Sequence, residues 1–533
     1  MTTRDIKDLL LAPQLEREDI QALLAPYGFA DPLKADASLQ AIADEPPTRA
    51  QLARLLEELL YCVSRSADPD LALTYMERFT GAAVHKGQLL AFLESTPATL
   101  EILARAFGAS PFMGDILVRD PVYLYWLCDP EVLHAERSRG DIEQDLTRQL
   151  GALQSEARKL DALRAFKRKE TLHIGVRDIA RLCSVPQTLK ALSTLADVLI
   201  QKAYEIADDG LRRSLDLDTD DPRVRHLGQE FVVLGMGKLG GGELNFSSDV
   251  DLVYVYANDQ GRLPRRRGES ISKDEYFARL SRRLTAALSD MTGEGQVYRV
   301  DLRLRPEGRI GPVAQSVTSV HMYCLTRGRT WERLAYHKAR PVAGNLRLGE
   351  RAIERIRPFV YGRSLDSAAQ EDVRHIKDQI DRQVSERGLS QRDVKLGFGG
   401  IREIELVAQS LQLASSRRRP RLRPRNTLHA VDALARARLI STVELETLRG
   451  AYLFLRDVEN RLQMYSDAQT HVLPDDAAAL QRLALSLGFE NGAQSAVAYF
   501  HDAYCKHTQN VNVVLRRVLY PPTAADRLSG RPR

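Results

Sequence analysis

Strand-forming sequence is confined to the middle of this 533-residue chain, and this restriction narrows the possible folds more than any other feature. Runs rich in β-branched and aromatic residues occur only in EFVVLGMG, DVDLVYVYA and QVYRVDLRLRP. Both flanks instead show apolar residues at helical spacing. In RAQLARLLEELLYCVSRS the residues of one stripe are Leu52, Leu55, Leu56, Leu59 and Leu60. The sequence therefore predicts an α+β, predominantly helical protein with a small mixed sheet.

The length of the chain exceeds what a single hydrophobic core usually supports, so several domains are expected. The pattern predicts an N-terminal helical region over residues 1–155 and a sheet-containing domain over 156–345. It also predicts a C-terminal helical bundle over 346–520 and a flexible tail over 521–533, since the end PPTAADRLSGRPR is rich in proline and polar residues.

Composition disfavours several functional classes. Lys and Arg total 76 against 71 Asp and Glu, and this excess of +5 is too small to indicate nucleic-acid binding by itself. The five cysteines form no CxxC pair, which favours a reducing compartment and argues against structural zinc. The first residues are too charged for a signal peptide, and no apolar run approaches the roughly 18 residues of a spanning helix. A cytoplasmic protein without a membrane partner is expected.

The central motif GMGKLGGGELNFSSDVDLVYVY begins with glycines spaced as GxGxxG. A dinucleotide fold would need a full crossover helix and an acid at the end of the next strand. Here only eight residues separate Gly240 from Asp249, and the acids begin the strand. Lys238 is also misplaced for a P-loop. The glycines instead allow backbone amides to approach a phosphate, with a short helix expected to begin near Leu239.

The second half of this motif places two acids at the start of a strand. Asp249 and Asp251 are two residues apart, so both side chains should point to one face, where they repel each other unless a cation or proton intervenes. The later strand VYRVDLRLRP adds Asp301, with Arg299 and Arg303 on the same face. Three such carboxylates can hold hard divalent cations that stabilise an in-line phosphoryl displacement. The alternative is strand-capping acids, with Asp301 in a salt bridge to an arginine.

Two arginine-rich segments, RLPRRRGES at 262–270 and SSRRRPRLRPR at 415–425, contain proline and are expected to be loops. They are either solvated connections or docking surfaces for an acidic partner.

The glycine loop, the SDxD pattern and the later acid resemble the polymerase-β-like nucleotidyltransferase superfamily. Further motifs resemble the bacterial glutamine synthetase adenylyltransferase/adenylyl-removing enzyme, in order from about residue 110 to 515. They are FMGDILVRDPVYLYWL, YRVDLRLRPEGRIGPVAQS, GRTWERLAYHKARPVAG, GFGGIREIELVAQSLQL and AYLFLRDVENRLQMYSDAQTHVLP. That family usually carries two modules. One removes AMP from a tyrosine of glutamine synthetase by phosphorolysis, and the other attaches AMP from ATP.

The resemblance implies roles for individual residues. Asp249, Asp251 and Asp301 would be catalytic ligands of Mg²⁺. The residues expected around the phosphates are Gly237, Lys238, Gly240, Gly241, Ser248, Arg303 and Arg305. Arg305 is expected to continue the row of arginines on the Asp301 strand. Trp331 is assigned to the core in preference to substrate stacking. For Glu403 the alternative to a site role is a favourable first-turn charge of the helix after Gly399 and Gly400.

The resemblance implies a magnesium-dependent nucleotidyltransferase. The chain departs from the family in having one module. Asn245, Phe246 and the early FMGDILVRDP stretch look like the adenylyl-removing half, so phosphorolysis giving ADP is the expected reaction. Adenylylation from ATP is the alternative, and a non-catalytic nucleotide-sensing module is a further one. Transfer to RNA ends is disfavoured because aromatics are only 6%. The implied partners are glutamine synthetase, ATP, ADP, phosphate, a PII-type signal protein and a separate second module.

Overall fold

The structure is a computed structural model that describes residues 5–362 and 367–520. The tail predicted over 521–533 lies outside the described residues. The chain divides into two compact units. The first consists of Met1–Glu136, Arg168–Thr188 and Asp457–Ala503, and the second of Arg137–Lys167, Leu189–Arg456 and Tyr504–Arg533. The four-part division predicted along the chain stays a prediction.

Helices make up most of the described chain, as the sequence predicted. In the first part of the chain they are α1 Asp8–Leu11, α2 Arg17–Leu24, α3 Pro32–Ile42, α4 Pro46–Ser64, α5 Pro69–Ala82, α6 Lys86–Ser95, α7 Pro97–Ala109, α8 Pro111–Arg119, α9 Tyr123–Leu127, α10 Pro130–Leu133, α11 Arg139–Gly151, α12 Glu156–Ile179 and α13 Val185–Ser214. The later ones are α14 Pro222–Arg225, α15 Gly237–Gly241, α16 Lys273–Ser289, α17 Val317–Thr326, α18 Thr330–His337, α19 Leu346–Tyr361, α20 Ser367–Glu386, α21 Ile401–Ser415, α22 Thr427–Arg436, α23 Thr442–Ser466, α24 Ala477–Ser486 and α25 Ala496–Leu519. No helix within the described ranges is long and apolar enough to cross a membrane.

The first unit is built from helices whose apolar stripes face inward. The leucine stripe predicted on α4 is confirmed, since all five leucines are 4% exposed or less. Aromatic side chains fill the space between α5 and α7, where the ring centroids of Phe79 and Phe107 lie 5.7 Å apart. Gly114 on α8 packs against Tyr75, where a Cβ atom would approach the ring to 2.3 Å.

The second unit contains the sheet. Its strands are β1 Phe231–Gly235, β2 Val250–Tyr256, β3 Arg262–Leu263, β4 Ile271–Ser272, β5 Val300–Asp301, β6 Ala314–Ser316 and β7 Arg340–Gly344. Five strands form the main sheet in the order β5-β2-β1-β7, with β6 also paired to β2, while β3 and β4 form a separate pair. Strand β1 is antiparallel to β2 and β7, whereas β2 is parallel to β5 and β6. The predicted small mixed sheet is therefore confirmed.

Helix α16 provides the connection that a parallel pair such as β2 and β5 requires. The sequence predicted this helix, and its apolar face is buried, as Phe277, Leu280, Leu284 and Leu288 show. The Phe277 ring stacks on Phe231 of β1 and on Tyr256 of β2, with centroid distances of 5.6 and 4.9 Å. These contacts fix α16 against the sheet.

The third predicted strand is much shorter than expected, because the chain leaves the strand after Asp301. The backbone N–H of Arg303 donates to Asp301 Oδ1 at 2.8 Å, and that of Arg305 donates to the Leu302 carbonyl at 3.2 Å. These bonds form a turn, so the expectation that Arg305 continues a row of arginines along the strand is wrong. Strand β2 begins at Val250, and Asp249 directly precedes it.

Candidate active site

Neighbouring strands bring the three predicted acids to one edge of the sheet. Asp251 lies in register with Asp301 across the parallel pair of β2 and β5. Asp249 precedes β2 by one residue. All three side chains are partly buried. Since Asp301 is 50 or more positions from Asp249 and Asp251 in the sequence, its proximity to them depends on the crossover through α16.

Two of the acids form ion pairs with arginines. Arg299 Nε donates to Asp249 Oδ1 at 2.7 Å, and the same guanidinium donates to Ser247 Oγ at 3.2 Å. Arg303 Nε donates to Asp301 Oδ2 at 2.7 Å. Burial raises the pKa of Asp301, but the hydrogen bonds and charge of Arg303 outweigh it and lower this pKa overall. The salt bridge that the sequence left open as an alternative for Asp301 is therefore present.

Asp251 is held differently from the other two acids. Burial, followed by the negative charges of Asp301 and Asp249, raises the pKa of Asp251 to about 6, although Lys395 and Lys238 oppose the shift. A carboxylate in this position is stabilised by a proton or a cation. Asp251 is therefore the acid whose charge the surrounding protein leaves least compensated.

The donor set fits a hard divalent cation in its chemistry, since it offers three carboxylates and no soft ligand. Within residues 5–362 and 367–520, however, no group of three or more His, Cys, Asp and Glu side chains converges on a single cation position. Although the three carboxylates are suitable donors, they do not converge, because Asp249 and Asp301 direct oxygens towards Arg299 and Arg303. The assignment of Mg²⁺ to these acids stays a prediction.

Replacing Asp251 by asparagine is expected to change how stability depends on pH in protein free of divalent cations. Because the folded-state pKa is raised, the folded protein binds more protons than the unfolded chain between about pH 4 and pH 6, and stability falls as pH rises through this window. Asp251→Asn removes this loss. It should stabilise the protein by up to about 3 kcal/mol above pH 6, with no difference below about pH 4.

Denaturant unfolding in EDTA at several pH values measures this effect. Asp220→Asn, the same change on an exposed loop, should leave the pH profile unaltered. Identical profiles for wild type and Asp251→Asn would show that Asp251 ionises normally in the folded protein.

The glycine loop contacts the acids directly. Gly237 has φ of +50°, and a Cβ atom there would lie 2.6 Å from Asp251 Oδ2, so this position requires glycine on two grounds. Lys238 Nζ donates to Ser248 Oγ at 3.4 Å. Helix α15 begins at Gly237, two residues before the expected start. Gly237, Lys238 and Ser248 are thus brought together beside Asp251.

Gly240 and Gly241 are required by packing. A Cβ atom at Gly240 would lie 2.1 Å from the Lys338 carbonyl oxygen, and one at Gly241 would lie 2.7 Å from Glu243 Oε2. Neither of these contacts involves a ligand. The binding of phosphate by Gly240 and Gly241 stays a prediction.

Gly240→Ala is expected to destabilise the protein by about 1–3 kcal/mol, because the methyl group would collide with backbone that cannot move freely. The midpoint of denaturant unfolding measures this loss. Gly151→Ala is the matched control, since a Cβ atom there meets nothing within 4 Å at the end of α11. An unchanged midpoint for Gly240→Ala would mean that α15 and the backbone at Lys338 are less closely packed than they are here.

A cavity of about 570 Å³ opens beside Asp251. Among the described residues that line it are six basic side chains and two acidic ones: Lys238, Arg303, Lys338, Lys395, Arg402, Arg456, Asp251 and Glu405. Positive charge therefore exceeds negative charge at this surface, which suits a ligand with phosphate groups. Trp331 also lines the cavity and is 38% exposed, so its predicted place in the core is wrong.

A buried ionic network lies behind this cavity. Lys338 Nζ donates to Glu243 Oε2 at 2.9 Å, to Glu405 Oε1 at 3.0 Å and to Thr427 Oγ1 at 3.2 Å. Burial alone lowers the pKa of Lys338, but the two carboxylates outweigh it and raise this pKa. Burial likewise raises the pKa of Glu405, while Lys338 and two arginines lower it far below its usual range. Lys338 and Glu405 are therefore both held in their charged forms.

The network gives Asn245 a structural role, because Arg456 Nη1 donates to Asn245 Oδ1 at 3.0 Å. Glu403, which the sequence explained as a favourable first-turn charge of α21, lies in that turn and also pairs with Lys377 Nζ at 3.0 Å.

Arg305 lies within the turn after Asp301. Its guanidinium donates to the carbonyl oxygens of Leu302, Arg309, Gly311 and Pro312, at 2.9–3.3 Å. These contacts shape the loop that carries Arg303. The predicted contact of Arg305 with phosphate stays a prediction.

Sequence reasoning missed Lys338, Lys395, Arg402 and Arg456 as lining residues of the cavity. Arg402 follows Gly399 and Gly400 at the start of α21, and this position was a usable signal for an anion site. Lys395 has no comparable signal, because it stands in an irregular segment and only the fold brings it near Asp251.

Together the fold and the site define a predominantly helical α+β protein of the nucleotidyltransferase type. Residues 100–355 match the family model described as glutamate-ammonia ligase adenylyltransferase, and residues 374–519 match the one described as GlnD PII-uridylyltransferase. The chain belongs to the family of bacterial glutamine synthetase adenylyltransferases/adenylyl-removing enzymes.

Curated relatives carry the name bifunctional glutamine synthetase adenylyltransferase/adenylyl-removing enzyme. The protein from Stenotrophomonas maltophilia (strain K279a) is 41% identical over 427 residues, which are 79% of this chain and 43% of that protein. The one from Rhizobium meliloti (strain 1021) is 38% identical over 431 residues, which are 80% of this chain and 43% of that protein. The chain thus spans less than half the length of these relatives.

Proposed function

We propose that this chain removes AMP from an adenylylated tyrosine of glutamine synthetase by phosphorolysis, releasing ADP. The observation that carries the proposal is the cavity in which Asp251 lies among six basic side chains. The names of the relatives support nucleotidyl transfer on glutamine synthetase. A cytoplasmic location accompanies this proposal, since glutamine synthetase and ADP are the implied reaction partners.

In this reaction an oxygen of hydrogen phosphate forms a bond to the AMP phosphorus, and the bond from that phosphorus to the tyrosine oxygen breaks. The proton of hydrogen phosphate ends on the tyrosine oxygen, so atoms and charge balance. The protein contributes positioning and electrostatic stabilisation more than covalent chemistry. Asp249, Asp251 and Asp301 would hold Mg²⁺, which when bound supplies positive charge to the reacting phosphate oxygens.

The fixed positive charge of the cavity favours phosphorolysis over adenylylation. A free phosphate has no covalent link to the nucleotide, so the protein must hold it beside the AMP phosphorus with cationic groups. Arg303, Lys395 and Arg402 line the cavity near Asp251 and provide such groups. Asn245 and Phe246, which resemble the removing half, favour the same direction. Adenylylation from ATP is the second candidate, because the same charge would stabilise a pyrophosphate leaving group.

Product identity tests the proposal. The purified chain is incubated with adenylylated glutamine synthetase, magnesium and phosphate, and separately with unmodified synthetase and ATP. ADP that forms only when phosphate is present supports phosphorolysis. AMP as the product would indicate hydrolysis, and label transfer from ATP without phosphorolysis would assign the chain to adenylylation. The absence of any metal-dependent turnover would favour the nucleotide-sensing alternative.

The arginine segment at 415–425 is proposed to dock the protein substrate. Arg417, Arg418 and Arg419 are exposed, whereas Arg423 stacks over the Tyr361 ring at 4.4 Å and so anchors the loop. Reversal of the three exposed arginines to glutamate should lower kcat/KM for glutamine synthetase by about tenfold and flatten its dependence on salt, because charge attraction speeds the encounter. Steady-state kinetics at several salt concentrations measures both effects.

The other arginine loop offers a comparison. Reversal of the exposed Arg266 and Arg267 changes charge in the same direction at a different place. If both reversals slow the reaction equally, the effect is one of overall charge. If neither does, both segments are solvated connections.

Regulation is proposed to involve further proteins. The match of residues 374–519 to the uridylyltransferase description supports contact with a PII-type signal protein. A separate second module with the opposing activity is proposed as a further partner, because the family that the chain resembles usually carries two modules. Pull-down of a PII-type protein and assay of the reconstituted pair test these two points.

A further inference from the structure

The segment before α21 places two basic residues side by side. The backbone N–H of Arg402 donates to the Lys395 carbonyl at 2.9 Å, and that of Ile401 donates to the Val394 carbonyl at 3.0 Å. Asp393, which is 8% exposed, accepts from the backbone N–H of Lys395 and of Leu396 at 2.9 and 2.8 Å. These bonds hold the backbone that carries both basic side chains.

Packing against α25 fixes the same segment. Gly399 has φ of +64°, and a Cβ atom there would lie 1.9 Å from the Thr508 carbonyl oxygen. A close contact of this kind leaves the backbone little freedom to shift. Lys395 and Arg402 are therefore presented to the cavity by a rigid framework.

Lys395 interacts with Asp251 only at a distance, where its charge opposes the raised pKa of that acid. Across residues 5–362 and 367–520 its ammonium forms no hydrogen bond or ion pair, although it is half-buried and lines the cavity. The other basic residues of the cavity are engaged: Arg303 pairs with Asp301, Arg402 with Glu405 at 3.2 Å, and Lys338 with two glutamates. An unpaired ammonium of this kind indicates a place for an anion.

We infer that Lys395 and Arg402 form a subsite for a phosphate group of the second substrate, on the side of the cavity contributed by the segment before α21 and the first turn of that helix. The inference rests on the proposed function and extends it, because it names residues outside the sheet that would bind the phosphate of the second substrate. Arg402 has four cationic N–H donors beyond the one that reaches Glu405, and Lys395 adds a point charge. The bound group is either inorganic phosphate itself or a phosphate group of ATP.

Lys395→Met is the main test, because it removes an ammonium that has no direct hydrogen bond or ion pair among the described residues. In phosphorolysis, KM for inorganic phosphate should rise by about 10- to 100-fold while KM for adenylylated glutamine synthetase stays unchanged. Lys395→Arg should restore much of the affinity. Lys506→Met, the same change on an exposed lysine of α25, should leave KM for phosphate as in the wild type.

A binding measurement separates this inference from the proposed reaction. Inorganic phosphate should raise the Tm of the full chain relative to chloride at equal ionic strength, and this rise should be lost in Lys395→Met and retained in Lys506→Met. If instead the wild type uses ATP, KM for ATP should rise in Lys395→Met, which identifies ATP as the source of the phosphate.

Distinct failures have distinct meanings. Wild-type chain that is inactive in both directions but shows the Tm shift would overturn the proposed function and leave the anion subsite standing. Wild-type turnover with unchanged KM for phosphate and ATP in Lys395→Met would overturn the subsite and leave the proposed function standing.

Discussion

Asp251→Asn is expected to lower turnover by about a thousandfold, whichever direction the chain catalyses. Asp251 is the acid that lies in register with Asp301 and contacts the glycine loop, so its loss removes the central carboxylate of the site. Asparagine has nearly the same shape, and removal of a destabilising charge leaves the fold intact. Steady-state turnover with saturating magnesium measures the loss, and circular dichroism checks the fold.

The control for this experiment is Asp220→Asn, which makes the same change on an exposed loop of the same unit. It should retain wild-type turnover. A rate for Asp251→Asn near that of the wild type would remove the three acids from the mechanism, and the cavity would then have to act by another chemistry or serve only in binding.

Lys338→Met is expected to cost about 3–5 kcal/mol of folding stability, the second large effect. The substitution preserves much of the volume but leaves Glu243 and Glu405 buried without the ammonium that both of them contact. Arg456 compensates Glu405 in part, at 3.5 Å, and no such arginine is paired with Glu243 among the described ion pairs. Denaturant unfolding monitored by circular dichroism measures the loss.

Two further variants define what the Lys338 result means. Arg279→Met breaks an exposed pair with Glu275 on α16 and should change stability by less than about 1 kcal/mol. Adding Glu243→Gln to Lys338→Met should recover part of the loss, since it removes one uncompensated charge. A loss below about 1 kcal/mol for Lys338→Met would show that water reaches the network and that the pairs are weak.

The sequence by itself determined the fold class and the acids. Helical periodicity placed the leucine stripe of α4 and the helix α16, and β-branched runs placed β1 and β2, because burial of one face requires those repeats. Asp249, Asp251 and Asp301 were predicted as neighbours from the spacing of two acids at the start of one strand and a third acid on a later strand, and the pairing of β2 with β5 brings Asp251 into register with Asp301. Gly237 was found from its motif, and its positive φ and its contact with Asp251 explain why glycine stands there.

The tertiary structure alone decided which charges meet. Arg299 pairs with Asp249, whereas Arg303 pairs with Asp301. The chain leaves the strand after Asp301, where hydrogen bonds fix a turn, and the Arg305 side chain therefore bonds to carbonyl oxygens of its own loop. Lys338, Glu243 and Glu405 form one network although they are up to 162 residues apart in the printed sequence. Periodicity reports which face of an element is buried, whereas ion pairing depends on distances between elements, and these exist only once the chain has folded. For the same reason Lys395 could be assigned to the cavity only when the segment before α21 was seen beside Asp251.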